Sequence, residues 1–482
     1  MKIILNNKYK NMLHYSFICL ILFGLGILAE NSYSGIETKL FVLCWLGNFI
    51  FITSIIIWKR MTGKLFSPYI FFLISFYFFS FGQGILNSFG IKYRPWDLYS
   101  LFDSLVLLKA HYYTIVGITF LHFGAMFAYE KKVLYTEDKS DISSIVEASR
   151  IVAVILMLAS SYFFFSSLLN NLKASMLNGY MSLYDYSRNQ YTSTSLTTNL
   201  ILTLKLFFVP SIFLILLLYK NSLIRLLTLI TLMFSIVASF AAGLRTDAAA
   251  LFISALILWL SNKEKLKIKQ LIVIGISGLS LFSIFTAVGV LRGESSRDGK
   301  TIFLVFLHEL ITNNPVVNTI GEMGGSMFPL IKVTELLPQS FAYKYGESYI
   351  SALLAVFPNF MIQPFISRVS LPNWLMETLN MDYGPGFSLL AEGYYNFGVF
   401  GACFMALIGF VFLKCLNLDA HWKRFNIIKP AFISVMVYFL IASARGDMLL
   451  LFREFIFYVI GPLILIFIIQ NIQDSLRKRK YR

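Results

Sequence analysis

Charge is scarce in this chain of 482 residues: Asp, Glu, Lys and Arg make up 14% of it, about half the share of an ordinary soluble domain. Cysteine is scarcer still, and Cys19, Cys44, Cys403 and Cys415 stand far apart within or beside apolar runs. That spacing excludes both a disulfide framework and a zinc site, so the four are read as packing residues. The histidines are scattered (His14, His111, His122, His308, His421), and no metal centre and no cofactor is expected. No Asp-x-Asp, Gly-x-Ser-x-Gly or His-Glu-x-x-His occurs, which removes the usual signatures of metal-bound nucleotide-sugar transfer, of serine hydrolases and of zinc proteases. Gly293 to Thr301 resembles a phosphate loop but has five residues between its glycines where that loop needs four, and it follows an apolar run rather than a strand.

What the chain has in abundance is apolar surface. Residues of apolar type make up 57% of it and aromatic ones 17%, enough for about twelve spans of about 20 residues each. A soluble enzyme and a single-anchor protein are thereby excluded. The runs fall at His14–Ala29, Thr38–Ile57, Leu65–Leu86, Val106–Tyr129, Ile151–Leu169, Leu196–Tyr219, Leu223–Ala241, Ala248–Leu260, Ile272–Leu291, Ser388–Leu413, Pro430–Ala444 and Met448–Ile469. The expected fold is an all-α integral membrane protein of about twelve transmembrane helices.

The net charge of +16 does not indicate nucleic acid, because the basic residues sit in short runs between apolar blocks. They act as topology signals. About 25 Lys and Arg fall in one set of alternate loops and about 13 in the other, so both termini are predicted to be cytoplasmic, in the cytoplasmic membrane. The first apolar block is expected to remain as helix one, since Ala29-Glu30-Asn31 is a poor cleavage context and a second span follows at once.

The chain divides into residues 1–291 with helices one to nine, a long outer segment 292–387, and residues 388–482 with helices ten to twelve and a basic cytoplasmic tail. The long segment carries apolar stretches at Thr301–Ile311 and Ser351–Ile366, punctuated by Pro315, Pro329, Pro338, Pro358, Pro364 and Pro372, so a folded cap with amphipathic or half-inserted helices is expected. A second outer loop, Asn170 to Ser195, is tyrosine-rich (Tyr180, Tyr184, Tyr186, Tyr191), which suits either an interfacial belt or sugar stacking.

Arginines stand at several predicted outer helix ends: Arg245 in Gly-Leu-Arg-Thr-Asp, Arg292 in Arg-Gly-Glu and Arg445 in Ala-Arg-Gly-Asp. Charge is costly there, and the guanidinium fork matches phosphate oxygens. Arg245 with Asp247 and Arg445 with Asp447 also fit structural ion pairs, and all three arginines fit snorkelling to lipid headgroups. Glu392, in Pro-Gly-Phe-Ser-Leu-Leu-Ala-Glu-Gly-Tyr-Tyr-Asn-Phe-Gly (Pro385 to Gly398), falls in the first turns of helix ten, where it either serves as a buried carboxylate in need of a partner or complements the helix dipole. Glu294, Arg297, Asp298 and Glu322 are further polar candidates on the outer segment. Lys109, Lys205, Arg453 and Glu454 lie in spans and are expected to snorkel or pair internally.

This pattern resembles the Wzy-type O-antigen and capsular polysaccharide polymerases. The resemblance covers most of the chain as architecture and rests on Gly243–Asp247, Arg292–Glu294, Gly324–Pro329, Pro385–Gly398 and Ala444–Asp447. It implies a metal-independent membrane glycosyltransferase that joins undecaprenyl-diphosphate-linked oligosaccharide repeat units on the outer face of the membrane. Arg245, Asp247, Arg292, Arg297 and Arg445 would bind the diphosphate or substrate, and Glu392, with Glu294 and Glu322 as alternates, would deprotonate the acceptor. Membrane lipids and a chain-length regulator are the implied partners. A lipid-linked oligosaccharide flippase or an O-antigen ligase are the alternatives. The gathering of polar candidates on one face, with no visible internal repeat, argues against the transporter.

Overall fold

The computed structural model describes residues 2–32, 35–63, 67–93, 96–130, 139–178, 182–183, 196–261, 277–278, 304, 314–354, 370–416 and 426–480. All regular secondary structure among them is helical. The first half contains α1 (Lys2–Ser32), α2 (Ile36–Thr62), α3 (Pro68–Ser88), α4 (Ser104–Ala128) and α5 (Lys139–Asn178). There follow α6 (Leu196–Leu204) and α7 (Phe208–Leu218), joined by a tight turn of helix at Lys205–Phe207, then α8 (Ser222–Ala241) and α9 (Arg245–Ser261). The long segment contributes α10 (Pro315–Gly324), α11 (Phe328–Leu336), α12 (Glu347–Leu354) and α13 (Leu371–Thr378). The chain closes with α14 (Leu389–Phe397), α15 (Gly401–Leu416), α16 (Lys429–Ser443), α17 (Met448–Phe455), a π-helical stretch Ile456–Ile460, and α18 (Gly461–Lys480).

Nine stretches among the described residues are long and apolar enough to cross a bilayer. α9 and α16 are shorter, with 17 and 15 residues, and the ninth expected span, Ile272–Leu291, lies outside the described residues except for residues 277–278. α5 runs past the apolar stretch that announced it and ends at Asn178, so Asn170–Asn178, expected as loop, are helical. Asn170, Asn171 and Lys173 interrupt the hydrophobic pattern there, but backbone hydrogen bonds carry a helix beyond its apolar face. The four tyrosines of that loop lie outside the described residues.

Local chemistry sets the helix starts. Ser67 caps α3 ahead of Pro68, Asp103 caps α4, Asn221 caps α8, Asn314 caps α10 ahead of Pro315, Ser388 caps α14, and Asp447 caps α17. Each short polar side chain accepts from a first-turn N–H that has no partner in its own helix.

Side chains sort the helix ends into two groups. At one end of the bundle Lys8 Nζ donates to Phe127 O at 2.6 Å, Lys414 pairs with Glu130, Arg477 with Glu147, Ser144 donates to Asp474 at 2.9 Å, and Arg150 donates to Leu218 O. Every one of these belongs to a helix end that the charge pattern predicts to be inside. α10 packs on α3, α11 on α4 and α14, and α12 on α14 and α17, while Trp374 of α13 meets Phe341 and Tyr395 edge-on. The long segment is less separate than a cap: Met327, Leu330, Ile331, Val333, Leu337, Leu371, Leu375 and Phe387 are buried in the same hydrophobic core as the long helices. Thr301–Ile311, apart from residue 304, and all of Ser351–Ile366 after residue 354 lie outside the described residues.

Candidate functional site

The first locus of the site is the start of α9. α8 ends in a turn in which Gly243 N–H donates to Phe240 O at 2.9 Å and Leu244 N–H to Ser239 O at 2.9 Å, and Arg245 is the first residue of the next helix. Its side chain is buried, and both terminal nitrogens of the guanidinium meet the two carboxylate oxygens of Glu322. A bidentate fork of this kind is the strong form of a charge-assisted contact. The expected pairing of Arg245 with Asp247 is replaced by pairing with Glu322, which comes from α10, 77 residues further along the chain.

α10 is seated there by α3. Gln83 Nε2 donates to Gly321 O at 3.1 Å and Trp96 O at 2.7 Å, while its Oε1 accepts from Leu98 N–H at 2.9 Å. Gly82 and Gly324 lie backbone against backbone, and a Cβ on either would run into the other helix. Two helices approach this closely only where side chains are absent. The sequence reading did not single out Gln83, whose signal is a lone amide inside an apolar run.

Between α3, α9, α10 and α16 lies a cavity of about 210 Å³, bordered also by Ser277 and Gly278, whose walls are almost entirely apolar. Phe78, Thr246, Ala249, Ile253, Thr319 and Met323 are among its lining residues. Thr246 follows Arg245 on α9, and Thr319 and Met323 flank Glu322 on α10, so the helices that carry the charged pair also supply part of the cavity's lining.

The second locus is Glu392, 1% exposed. Its Oε1 accepts from Ser348 Oγ at 2.6 Å and its Oε2 from the Met448 backbone N–H at 2.6 Å. Asn396, one turn further along α14, donates to Ser348 Oγ at 2.7 Å and to Glu392 O at 2.9 Å, and its Oδ1 accepts from Gly346 N–H at 2.9 Å. α14 breaks at Gly398, whose φ of 57° is a left-handed value that glycine adopts without strain. The break exposes the last carbonyls of α14, and Tyr395 O and Asn396 O accept from Lys344 N–H and Tyr345 N–H at 3.2 and 2.9 Å. Glu392 and Asn396 thus tie three pieces together: α14, the 344–348 stretch of the long segment, and the first turn of α17. Ser348 and Asn396 were not among the sequence candidates. Asn396 was findable, since it stands four residues after Glu392 and shares its helix face.

Between the loci runs the turn from α16 to α17, with α16 packed along α9 and α17 against α12. Asp447 does not pair with Arg445 as expected; its Oδ1 accepts from Leu450 N–H at 3.1 Å. Burial pushes the Asp447 carboxyl above its usual range, and the bond from Leu450 pulls it back. On α12, burial raises the Tyr349 hydroxyl as well, with the nearby Glu392 charge adding to the effect. Arg445 is half-buried and makes no ion pair among the described residues.

A further set of charges stands deeper. Lys205, Asp247, Arg453 and Glu454 lie within electrostatic reach of one another, and Ser443 Oγ donates to Glu454 Oε2 at 3.3 Å. Tyr438 and Tyr458 border them, and the π-helical stretch Ile456–Ile460 follows directly. Among the described residues these four form no ion pair with one another, so neither internal pairing nor snorkelling is established for Lys205, Arg453 and Glu454.

Of the remaining candidates, Arg292, Glu294, Arg297 and Asp298 lie outside the described residues. Among the described residues no three His, Cys, Asp or Glu side chains come together as a metal-ligand set. The described residues thus hold a buried Arg245 paired with Glu322, a half-buried Arg445, a buried Glu392 and an apolar cavity lined in part by α9 and α10. No curated protein and no solved structure matches the chain. The sequence pattern of the O-antigen polysaccharide polymerase Wzy family matches residues 12–475, nearly its whole length. The chain is a multi-pass membrane protein and belongs to the Wzy family of O-antigen polysaccharide polymerases.

Proposed function

We propose that this protein joins polyprenyl-diphosphate-linked oligosaccharide repeat units into O-antigen or capsular polysaccharide, working at the outer face of the cytoplasmic membrane with both of its termini inside. The observation that carries the reading is the buried Arg245 fork on α9, a helix that also lines an apolar cavity, a combination of charge and apolar space that suits the two halves of a lipid diphosphate. In the reaction an acceptor hydroxyl attacks the anomeric carbon of the donor, the bond from that carbon to the diphosphate oxygen breaks, and the electron pair leaves with the diphosphate. The leaving group is stable as an anion, so the demand on the protein is charge stabilisation rather than strong acid catalysis. Arg245 and Arg445 meet that demand in this proposal, with Arg292 and Arg297 assigned to the same task by sequence position. Asp247 balances Lys205 and Arg453 nearby. The arginines supply the neutralising charge, so the route is proposed to be metal-independent.

Glu392 is assigned a positioning role. Both of its oxygens already accept hydrogen bonds, and its burial keeps it from an incoming hydroxyl. It holds the long segment and α17 in the register that presents Arg445.

The test is deletion of the gene followed by electrophoresis of the surface glycan, with and without plasmid-borne wild type. Collapse of a ladder to one repeat unit on its acceptor is the expected result. Loss of every glycan band, including the single unit, would instead indicate a flippase or a ligase.

A further inference from the structure

The carboxylate of Glu322 occupies Arg245 in the bidentate geometry that a phosphate would adopt on the same fork. The two partners are unequal. The Arg245 side chain is 5% exposed and fixed at the start of α9, whereas Glu322 is 31% exposed at the edge of the site. Removing a counter-charge from a buried guanidinium is costly, so an anion that replaces Glu322 is favoured over one that merely approaches. The apolar cavity lined by Thr246, Thr319 and Met323, on the same two helices as Arg245 and Glu322, supplies the second half of the complementarity as a space for the lipid chain of a phosphate held by Arg245.

We propose that Glu322 is the resting ligand of Arg245, that the donor's diphosphate displaces it while the first isoprene units enter the cavity, and that the released carboxylate then takes the proton of the attacking hydroxyl. The proposal rests on the polymerase reading and assigns the base within it. The balance is complete: the acceptor oxygen bonds to the anomeric carbon, its proton passes to Glu322, and the carbon–oxygen bond to the diphosphate breaks with its electrons on the leaving group. Binding and base activation become one event, so the base is uncovered only when a donor is present. In the resting state, ion pairing keeps Glu322 from activating water.

Displacement of a charge-assisted pair weakens donor binding, and removing the competitor restores it. The experiment uses the full-length protein in nanodiscs, titrated with farnesyl diphosphate and with inorganic diphosphate, beside turnover of lipid-linked repeat units across pH. Glu322→Gln is expected to bind farnesyl diphosphate about tenfold tighter, to turn over at least about a hundredfold more slowly, and to lose the acid limb of the pH–rate profile. Glu322→Asp retains that limb. Ala249→Phe, which fills the cavity, is expected to bring farnesyl diphosphate affinity down towards that of inorganic diphosphate, and this arm stands even where Glu322→Gln fails to fold. Unchanged or weaker binding by Glu322→Gln would reduce the pair to a structural contact and overturn the exchange. Tighter binding with undiminished turnover would overturn the assignment of the base. Binding is read without polymer, so tighter binding by Glu322→Gln in a protein whose deletion leaves the glycan ladder intact would sink the polymerase reading and leave the exchange standing.

Discussion

The two ends of the helical bundle use the same residue types in opposite ways. At the end predicted to be inside, Lys414 and Glu130 pair while 33% and 50% exposed, and Arg477 and Glu147 while 49% and 53% exposed. At the other end Arg245 and Glu392 are withdrawn from solvent and engaged on several sides. Exposed pairs contribute little, because water already solvates both partners. Buried ones are costly to assemble and very costly to break. A chain tolerates that cost where a charged substrate takes over one of the partners, the role proposed for the Arg245–Glu322 pair.

Substitutions sharpen this contrast, beginning with the largest expected effect. Arg245→Ala should lower turnover by about 10²–10³, the loss typical of removing one donor to a developing anion, with the protein present in membranes at normal abundance; steady-state transfer assays on purified protein check it. Undiminished turnover would break the comparison at its strongest point. Next comes Glu392→Ala, which strips a hydrogen-bond partner from Ser348 and from the Met448 amide. A loss of about 2–6 kcal/mol in stability is expected at about 1–3 kcal/mol per deprived group, visible in denaturant or thermal unfolding. Glu392→Gln keeps one acceptor and should cost about half as much, with a pH–rate profile of unaltered shape, whereas a lost limb would make Glu392 the base. Gln83→Leu leaves Gly321 O, Trp96 O and Leu98 N–H without their partner; about 1–3 kcal/mol of stability should go, together with donor affinity as α10 loosens. Smallest of all is Lys414→Ala, expected to change stability by about 0–1 kcal/mol and to leave chain length on a glycan gel as it was.

Hydropathy and charge made most of the bundle legible before any coordinates. Length and apolar composition located the nine long apolar helices found among the described residues, and the polar contacts of Lys8, Arg150, Lys414 and Arg477 fall at helix ends that the bias of Lys and Arg assigns to the inside. Arg245, Glu322, Glu392 and Arg445 were all legible as candidates, because charge beside a hydrocarbon boundary is conspicuous. Their partners were not. Asp247 is two residues from Arg245 and was the natural choice, but the first turn of α9 directs Arg245 towards α10, which is held in place by Gln83 and by the Gly82–Gly324 approach. Neither contact leaves a periodic trace in the sequence. Asp447 likewise looked like a counter-ion and is a helix cap, a role its place just before Met448 announces in retrospect. For Lys205, Arg453 and Glu454 both snorkelling and internal pairing were open, and their proximity to Asp247 was not legible, since convergence of helices is a property of packing rather than of any one run.

Reconstitution tests the central claim most directly: purified protein in liposomes, supplied only with polyprenyl-diphosphate-linked repeat units, with glycan length and released polyprenyl diphosphate measured together. The account predicts one polyprenyl diphosphate released for each new linkage, in a reaction that Arg245→Ala nearly abolishes. Elongation without release of the lipid diphosphate, or no elongation by a folded protein, would contradict it.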